Sequence, residues 1–434
     1  MAAAAKAPIG RRTLLTTGAG ALVTACATMR ASPPSGLARI VVTAKVPADS
    51  GPVFLTGNIE SLGPWNPSAL KMEGSGHSRR ALVLAPIGER FEFKVTLGSW
   101  DREGLGPSGT VMPNFQIDVR GDDRIGVDIS GFKKDARVYL ADPQGGGVLG
   151  RTITWLDVRS QGLDFARHVQ IWLPPSYDDD LDRRYPVIYV HDGQNLFDPR
   201  VANTGVDWGV DEVLSARDRA RQTTAIVVAV WSTDHRRLEY SPSKVIAALP
   251  DAIKAEVAHE FGGAVRGDAY IAFLANELKP RVDQAFQTHA DPRSTVLMGS
   301  SMGGLISFYG VCERPDVFGA ALCLATHWPV AIARPRLVEG AEAWRSVLSS
   351  AYRSYLADAA LEPLRTRLWS DRGGVGLDVL YDPYHTLIRS LLMERGFSEG
   401  SRFAMPIFPS AEHNEASWRA RLAQVLAFGL DDIA

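Results

Sequence analysis

From residue 151 onward, short apolar runs alternate with longer amphipathic ones. "ARHVQIWLP", "YPVIYVHDG", "TTAIVVAVW", "STVLMGS", "AALCLATHW", "RTRLWSD" and "FAMPIFPS" have the length and composition of strands. "YIAFLANELKPRVDQAF", "GGLISFYGVCE", "PYHTLIRSLLMERG" and "EASWRARLAQVLAFGL" space their apolar residues as helices do. Strands this apolar are buried on both faces, and strands separated by helices pair in parallel. Residues 151–434 are therefore expected to form an α/β domain, a mostly parallel sheet with helices on both faces.

The chain ahead of this domain reads differently. In residues 38–120, "ARIVVTAKV", "GPVFLTGN", "RALVLAP" and "RFEFKVTLG" are strand-like runs broken by turn residues, which predicts a small immunoglobulin-like β-sandwich. Residues 121–150, ending in "PQGGGVLG", read as a linker, and the Pro-rich residues 27–37 read as a tether. Residues 1–26 read as an export signal of the twin-arginine and lipoprotein type. Arg11 and Arg12 precede a short apolar stretch, and "VTAC" ends in Cys26, the candidate lipidated residue. The expected location is thus the periplasm or cell envelope, with membrane contact only through a lipid at Cys26. No run of 18 apolar residues occurs. The net charge of -2, without long blocks of one sign, argues against a nucleic-acid partner. Cys312 and Cys323 fall in apolar surroundings and read as small buried residues rather than a disulfide. No Cys/His spacing suggests zinc.

"TVLMGSSMGG", residues 295–304, is where chemistry enters. An apolar strand runs into Gly299-Ser300-Ser301-Met302-Gly303, and a helix follows. This is Gly-x-Ser-x-Gly in a strand–turn–helix setting, where tight packing excludes side chains beside the central serine and exposes its hydroxyl above a helix N-terminus. Ser301 is the candidate nucleophile and Ser300 its neighbour. A serine hydroxyl needs a base. With the order serine, acid, histidine, the candidates are His327, His385 and His413. His327 follows the next strand directly and leaves no room for an acid; His385 falls at a helix start. His413, in the loop "PSAEHNEASW" before the last helix, is the expected base. Asp371, Asp378 and Asp382 are the candidate acids, with Asp378 favoured because it lies beyond a Gly-rich loop able to turn back toward His413.

Several stretches together carry a resemblance: "LPPSYDDD", "RRYPVIYVHDGQNLFD", "RRLEYSP", "FLANELKPRVDQAF", "VLMGSSMGGLISFYG", "RPDVFGAAL" and "AEHNEASWRARL". Residues 151–432 resemble the esterase family of α/β-hydrolases that includes feruloyl, acetylxylan and enterochelin esterases and S-formylglutathione hydrolase. The resemblance implies a Ser301–Asp378–His413 triad. It further implies that "HDGQNLFD" is the oxyanion loop, with the backbone N–H groups of Gln194 and Met302 as donors. Arg236 and Glu239 in "RRLEYSP" are expected to pair with one another and brace the pocket. Trp208, Trp231 and Trp328 are candidate pocket walls, although core packing suits them equally. Residues 329–363 are expected to form a helical cap.

The front stretches "VFLTGNIESLGPWNPSALKM", "GERFEFKVTLGSW" and "MPNFQIDV" resemble starch-binding carbohydrate-binding modules. That resemblance implies Trp65, Lys94 and Asn114 as glycan contacts. The family's second stacking tryptophan is missing, Val111 and Met112 standing there instead, while Trp100 is displaced. A structural or substrate-orienting role is therefore favoured over glycan binding.

The expected function is a serine esterase acting on a small-molecule or glycan ester without metal or organic cofactor. Its rivals are a non-catalytic envelope glycan-binding protein and an acyltransferase to a sugar hydroxyl.

Overall fold

In the computed structural model, eight strands form the main sheet: β1 (Arg151–Val158), β2 (Arg167–Leu173), β3 (Val187–His191), β4 (Ile226–Val230), β5 (Thr295–Ser300), β6 (Ala320–Leu324), β7 (Arg367–Ser370) and β8 (Phe403–Ala404). Their spatial order is β1-β2-β4-β3-β5-β6-β7-β8. The pairings β1–β2 and β2–β4 are antiparallel, and the rest are parallel. Every residue of β3, β4, β5 and β6 is buried, as expected of central strands covered on both faces. Two apolar clusters flank the sheet, one containing Tyr189, Val228 and Leu297, the other Ile188, Val227 and Met298. The alternating residues of each strand thus serve two cores. This is the anticipated α/β-hydrolase sheet.

The structure describes residues 36–63, 65–330 and 341–431. The export signal, Cys26 and most of the tether lie outside the described residues, as does part of the expected cap. The described part of residues 329–363 includes the helix Ala341–Asp358. The chain divides into two units, Met1–Asp142 with Pro199–Gly205, and Pro143–Asp198 with Val206–Ala434. No described helix is long and apolar enough to cross a membrane.

The first unit is a small β domain. Ser78–Pro86, Leu37–Lys45 and Asp123–Asp128 make one sheet. Leu70–Lys71, Phe54–Gly57, Arg90–Thr96 and Phe115–Asp118 make another. The two sheets share one core around Ile40, Val42, Leu55, Val83 and Phe93. The expected linker is in part structural. Asp123–Asp128 pairs in parallel with the first strand, and its alternation of exposed and buried residues inserts Ile125 and Val127 into this core. The charged "GDDR" turn at residues 121–124 hides that alternation in the sequence.

In the second unit, sequence reading missed β1. Its residues are mostly half-buried or exposed, as suits an edge strand. Reading "FAMPIFPS" as one strand also needs correcting. Pro406 interrupts it, and Ile407–Phe408 pairs instead with Arg372–Gly373.

Candidate active site

The buried strand β5 ends at Ser300, and helix α1 (Met302–Glu313) begins immediately. Ser301 sits between them at φ 54° and ψ −121°, a conformation that costs a non-glycine residue of order 1–3 kcal/mol. The turn permits nothing larger than hydrogen at Gly299, where a Cβ would lie 2.5 Å from the carbonyl carbon of Gly303. The Ser301 N–H is already used, donating to the Leu324 carbonyl at 2.8 Å. Met302 opens α1, where the first N–H groups have no intrahelical acceptor.

Asp378 and His413, the favoured candidates for acid and base, lie in contact. His413 Nδ1 lies 2.6 Å from Asp378 Oδ1, and the Gly373 N–H donates to Asp378 Oδ2 at 2.6 Å. Asp378 is fully buried. Burial pushes its carboxyl upward, but the hydrogen bond and charge of His413 and the Gly373 N–H outweigh this and hold it below the usual carboxylate range. Asp378 lies not in a loop but in the first turn of helix α3 (Leu377–Glu394; α2 is Ala341–Asp358), where the helix dipole favours a negative charge. Pro383 lies inside this helix, so a sequence reading that starts the helix at the proline places its beginning too late.

The other candidate carboxylates are engaged elsewhere. Asp371 accepts from Arg421 (3.1 and 2.7 Å), the Trp369 indole (2.8 Å) and the Ala325 N–H (2.8 Å), all buried. Asp382 pairs with Arg372 and is half exposed. Of the other histidines, His385 is buried within α3 with Nε2 3.3 Å from the Met405 carbonyl. His413 precedes Asn414, whose side chain caps helix α4 (Glu415–Leu430) by accepting from the Ser417 N–H at 2.9 Å. The cap fixes where the loop ends. The imidazole stands edge-on to Tyr381 (5.4 Å) and Trp418 (5.3 Å).

The turn after β3 is held from several directions. Asp192 has φ 56°, and its carboxylate receives two bonds of 2.7 Å from Arg236. Its N–H donates to the Tyr240 hydroxyl at 3.1 Å. The Gln194 side chain donates to the Ser232 hydroxyl at 2.8 Å and accepts from the Ser232 N–H at 3.2 Å. Gly193 is obligatory, since a Cβ there would lie 2.5 Å from the Ala229 carbonyl carbon. His191, at the end of β3, is kept neutral by burial, which lowers it to about 3. Arg236 and Glu239 do not pair with one another as expected. Arg236 clamps Asp192, and Glu239 receives bonds of 3.1 and 2.7 Å from the buried Arg167. The segment is helical at Arg236–Glu239, which sends the two side chains to different partners.

Trp208, Trp231 and Trp328 are buried to 5% exposure or less and belong to the packed interior. Cys312 and Cys323 are buried free thiols. Among the described residues no group of His, Cys, Asp and Glu could hold a metal ion.

In the first unit, Lys94 is not free for a ligand. It is buried against Glu103, and its amine also donates to the carbonyls of Met112 (2.9 Å) and Asn203 (3.3 Å). Asn114 donates to Glu92 at 2.8 Å. Trp65, with φ 58°, is partly exposed beside Trp100, their ring centres 6.4 Å apart. The displaced Trp100 is therefore a neighbour of Trp65 in space, which linear spacing alone does not reveal.

Comparison with known proteins gives three kinds of likeness. A ferulic acid esterase is 18% identical with a TM-score of 0.45, covering 64% of this chain and 98% of its own. The enterobactin esterase FES from Shigella flexneri is 14% identical with a TM-score of 0.45, covering 91% and 94%. Protein YbbA of Bacillus subtilis (strain 168), described as uncharacterized, is 28% identical over 153 residues, which is 35% of this chain and 54% of that protein. The chain thus spans about half the length of this curated relative. Residues 160–374, just under half of the chain and including the strained Ser301 elbow, match the family model described as "Putative esterase".

Proposed function

We propose that this chain is a serine hydrolase of carboxylic esters. The observation that carries the reading is the bond between His413 Nδ1 and the buried Asp378, in a chain whose Ser301 occupies a strained strand-to-helix elbow. In this reading Ser301 Oγ attacks the ester carbonyl while His413 takes its proton. Asp378 holds the imidazole tautomer and stabilises its charged form. The tetrahedral oxygen is met by the N–H groups of Met302 and Gln194, each contributing about 3 kcal/mol to the transition state. His413 returns the proton to the departing alcohol. Water then attacks the acyl-enzyme by the same route. The match over residues 160–374 supports the ester class of substrate.

The test compares hydrolysis of p-nitrophenyl acetate by the wild-type protein and Ser301→Ala. The variant is expected to lose activity by at least about 10³-fold. Equal turnover by the two proteins would refute the reading.

A second activity is favoured by one observation in the first unit. The indoles of Trp65 and Trp100 are neighbours, their planes tilted by 40°, and aromatic rings are the side chains that stack on sugar faces. Glycan binding there would rest on those rings, with Lys94 contributing to structure only. Retardation in a gel containing soluble starch tests it, and Trp65→Ala should abolish any retardation. Export with lipidation at Cys26 is the accompanying proposal for location, tested by fatty-acid labelling of the wild-type protein and Cys26→Ala.

A further inference from the structure

Helix α3 carries a second polar side chain one turn beyond Asp378. Tyr381 is fully buried, and its hydroxyl lies 2.5 Å from His327 Nδ1. The Ser301 side chain is the other polar neighbour of that hydroxyl. His327 is tied to the same elbow, because its N–H donates to the Ser301 carbonyl at 3.1 Å. The Tyr381 ring stands edge-on to both imidazoles, 5.2 Å from His327 and 5.4 Å from His413. One phenol therefore stands among the nucleophile, the base and a second buried imidazole.

A tyrosine hydroxyl has a single proton to donate. Burial raises its pKa well above the usual phenol range, so that proton stays in place at neutral pH. With the proton given to His327 Nδ1, the phenol oxygen is left to accept from Ser301.

We propose that Tyr381, braced by His327, is a positioning residue for the nucleophile: it fixes where Ser301 Oγ stands while the hydroxyl proton swings from the phenol oxygen to His413. This rests on the reading of Ser301 as the nucleophile. Tyr381 keeps its own proton throughout and is neither acid nor base. Removing it releases the oxygen into rotamers from which attack is unproductive, at the cost of one hydrogen bond, about tenfold in rate.

The experiment measures p-nitrophenyl acetate turnover, fluorophosphonate inactivation rate and thermal midpoint for Tyr381→Phe, His327→Leu, His327→Gln and the Tyr381→Phe/His327→Leu pair. Tyr381→Phe should lower kcat and the inactivation rate together by about tenfold, leaving KM and the shape of the pH profile unchanged. His327→Leu should match it, and the double variant should be no worse than either, because all three remove one shared interaction. His327→Gln keeps an acceptor for the phenol and should lose less than His327→Leu. Tyr381→Phe reacting within about twofold of wild type by both measures would overturn the proposal. So would equal losses in His327→Gln and His327→Leu, a comparison that serves if Tyr381→Phe does not fold. Wild-type activity retained in Ser301→Ala is a different failure, that of the nucleophile assignment itself.

Discussion

Gly193→Ala isolates the proposed oxyanion turn from the rest of the candidate site. Its new methyl group would lie 2.5 Å from the Ala229 carbonyl carbon and 2.7 Å from the Val230 nitrogen. Both atoms belong to the buried strand β4, hydrogen-bonded on both sides within the main sheet, so the turn must give way. Ordinary contact begins at 3.4 Å, so the turn must move by about 0.9 Å. The neighbouring Gln194 N–H moves with it. A shift of about 1 Å in a group placed against a reacting atom costs about 10²-fold in rate. The assay is kcat/KM for p-nitrophenyl acetate, run with circular dichroism and a thermal midpoint to establish that the sheet is intact. A folded Gly193→Ala protein within about threefold of wild type would remove Gln194 from the mechanism.

Other perturbations separate roles that the sequence leaves open. Asp378→Asn should lower kcat by about 10³–10⁴-fold with little change in KM, since the amide favours the wrong His413 tautomer. Asp371→Asn should chiefly lower the thermal midpoint, because it breaks the buried pair with Arg421, a loss of about 3–5 kcal/mol. Arg236→Gln frees the carboxylate of Asp192 and should reduce kcat by about tenfold while fluorophosphonate still labels the protein. Asp211 gives a pH signature. Burial raises its carboxyl to about 8, so the folded state holds a proton that the unfolded chain has already released. Stability from this group is therefore full below pH about 4 and falls as pH rises toward 8. Asp211→Asn should flatten that fall in a series of thermal midpoints.

Much of the site was legible because its parts are local. The elbow is a contiguous run whose glycines have no alternative residue, and His413 stands next to a helix cap. Asp378 was harder to place. Three aspartates lie within twelve residues, and only the partners of Asp371 and Asp382, Arg421 and Arg372, show that those two are engaged. The contact between Tyr381 and His327 was missed for a related reason. Their bond spans 54 residues. The signal available was Tyr381 three residues after Asp378, on one helical face, but Pro383 obscured the helix that relates them. Arg236 and Glu239 show the converse error. Opposite charges at short spacing suggested a pair, whereas each meets a partner from a distant segment. Lys94 likewise looked like a ligand contact until burial and Glu103 accounted for its charge.

The central claim is that Ser301 is activated by His413. Mass-spectrometric mapping of a fluorophosphonate adduct addresses it directly. The adduct should sit on Ser301 in the wild-type protein and be absent from Ser301→Ala and His413→Ala, both still folded. An adduct on any other residue, or undiminished labelling of Ser301 without His413, would contradict the account.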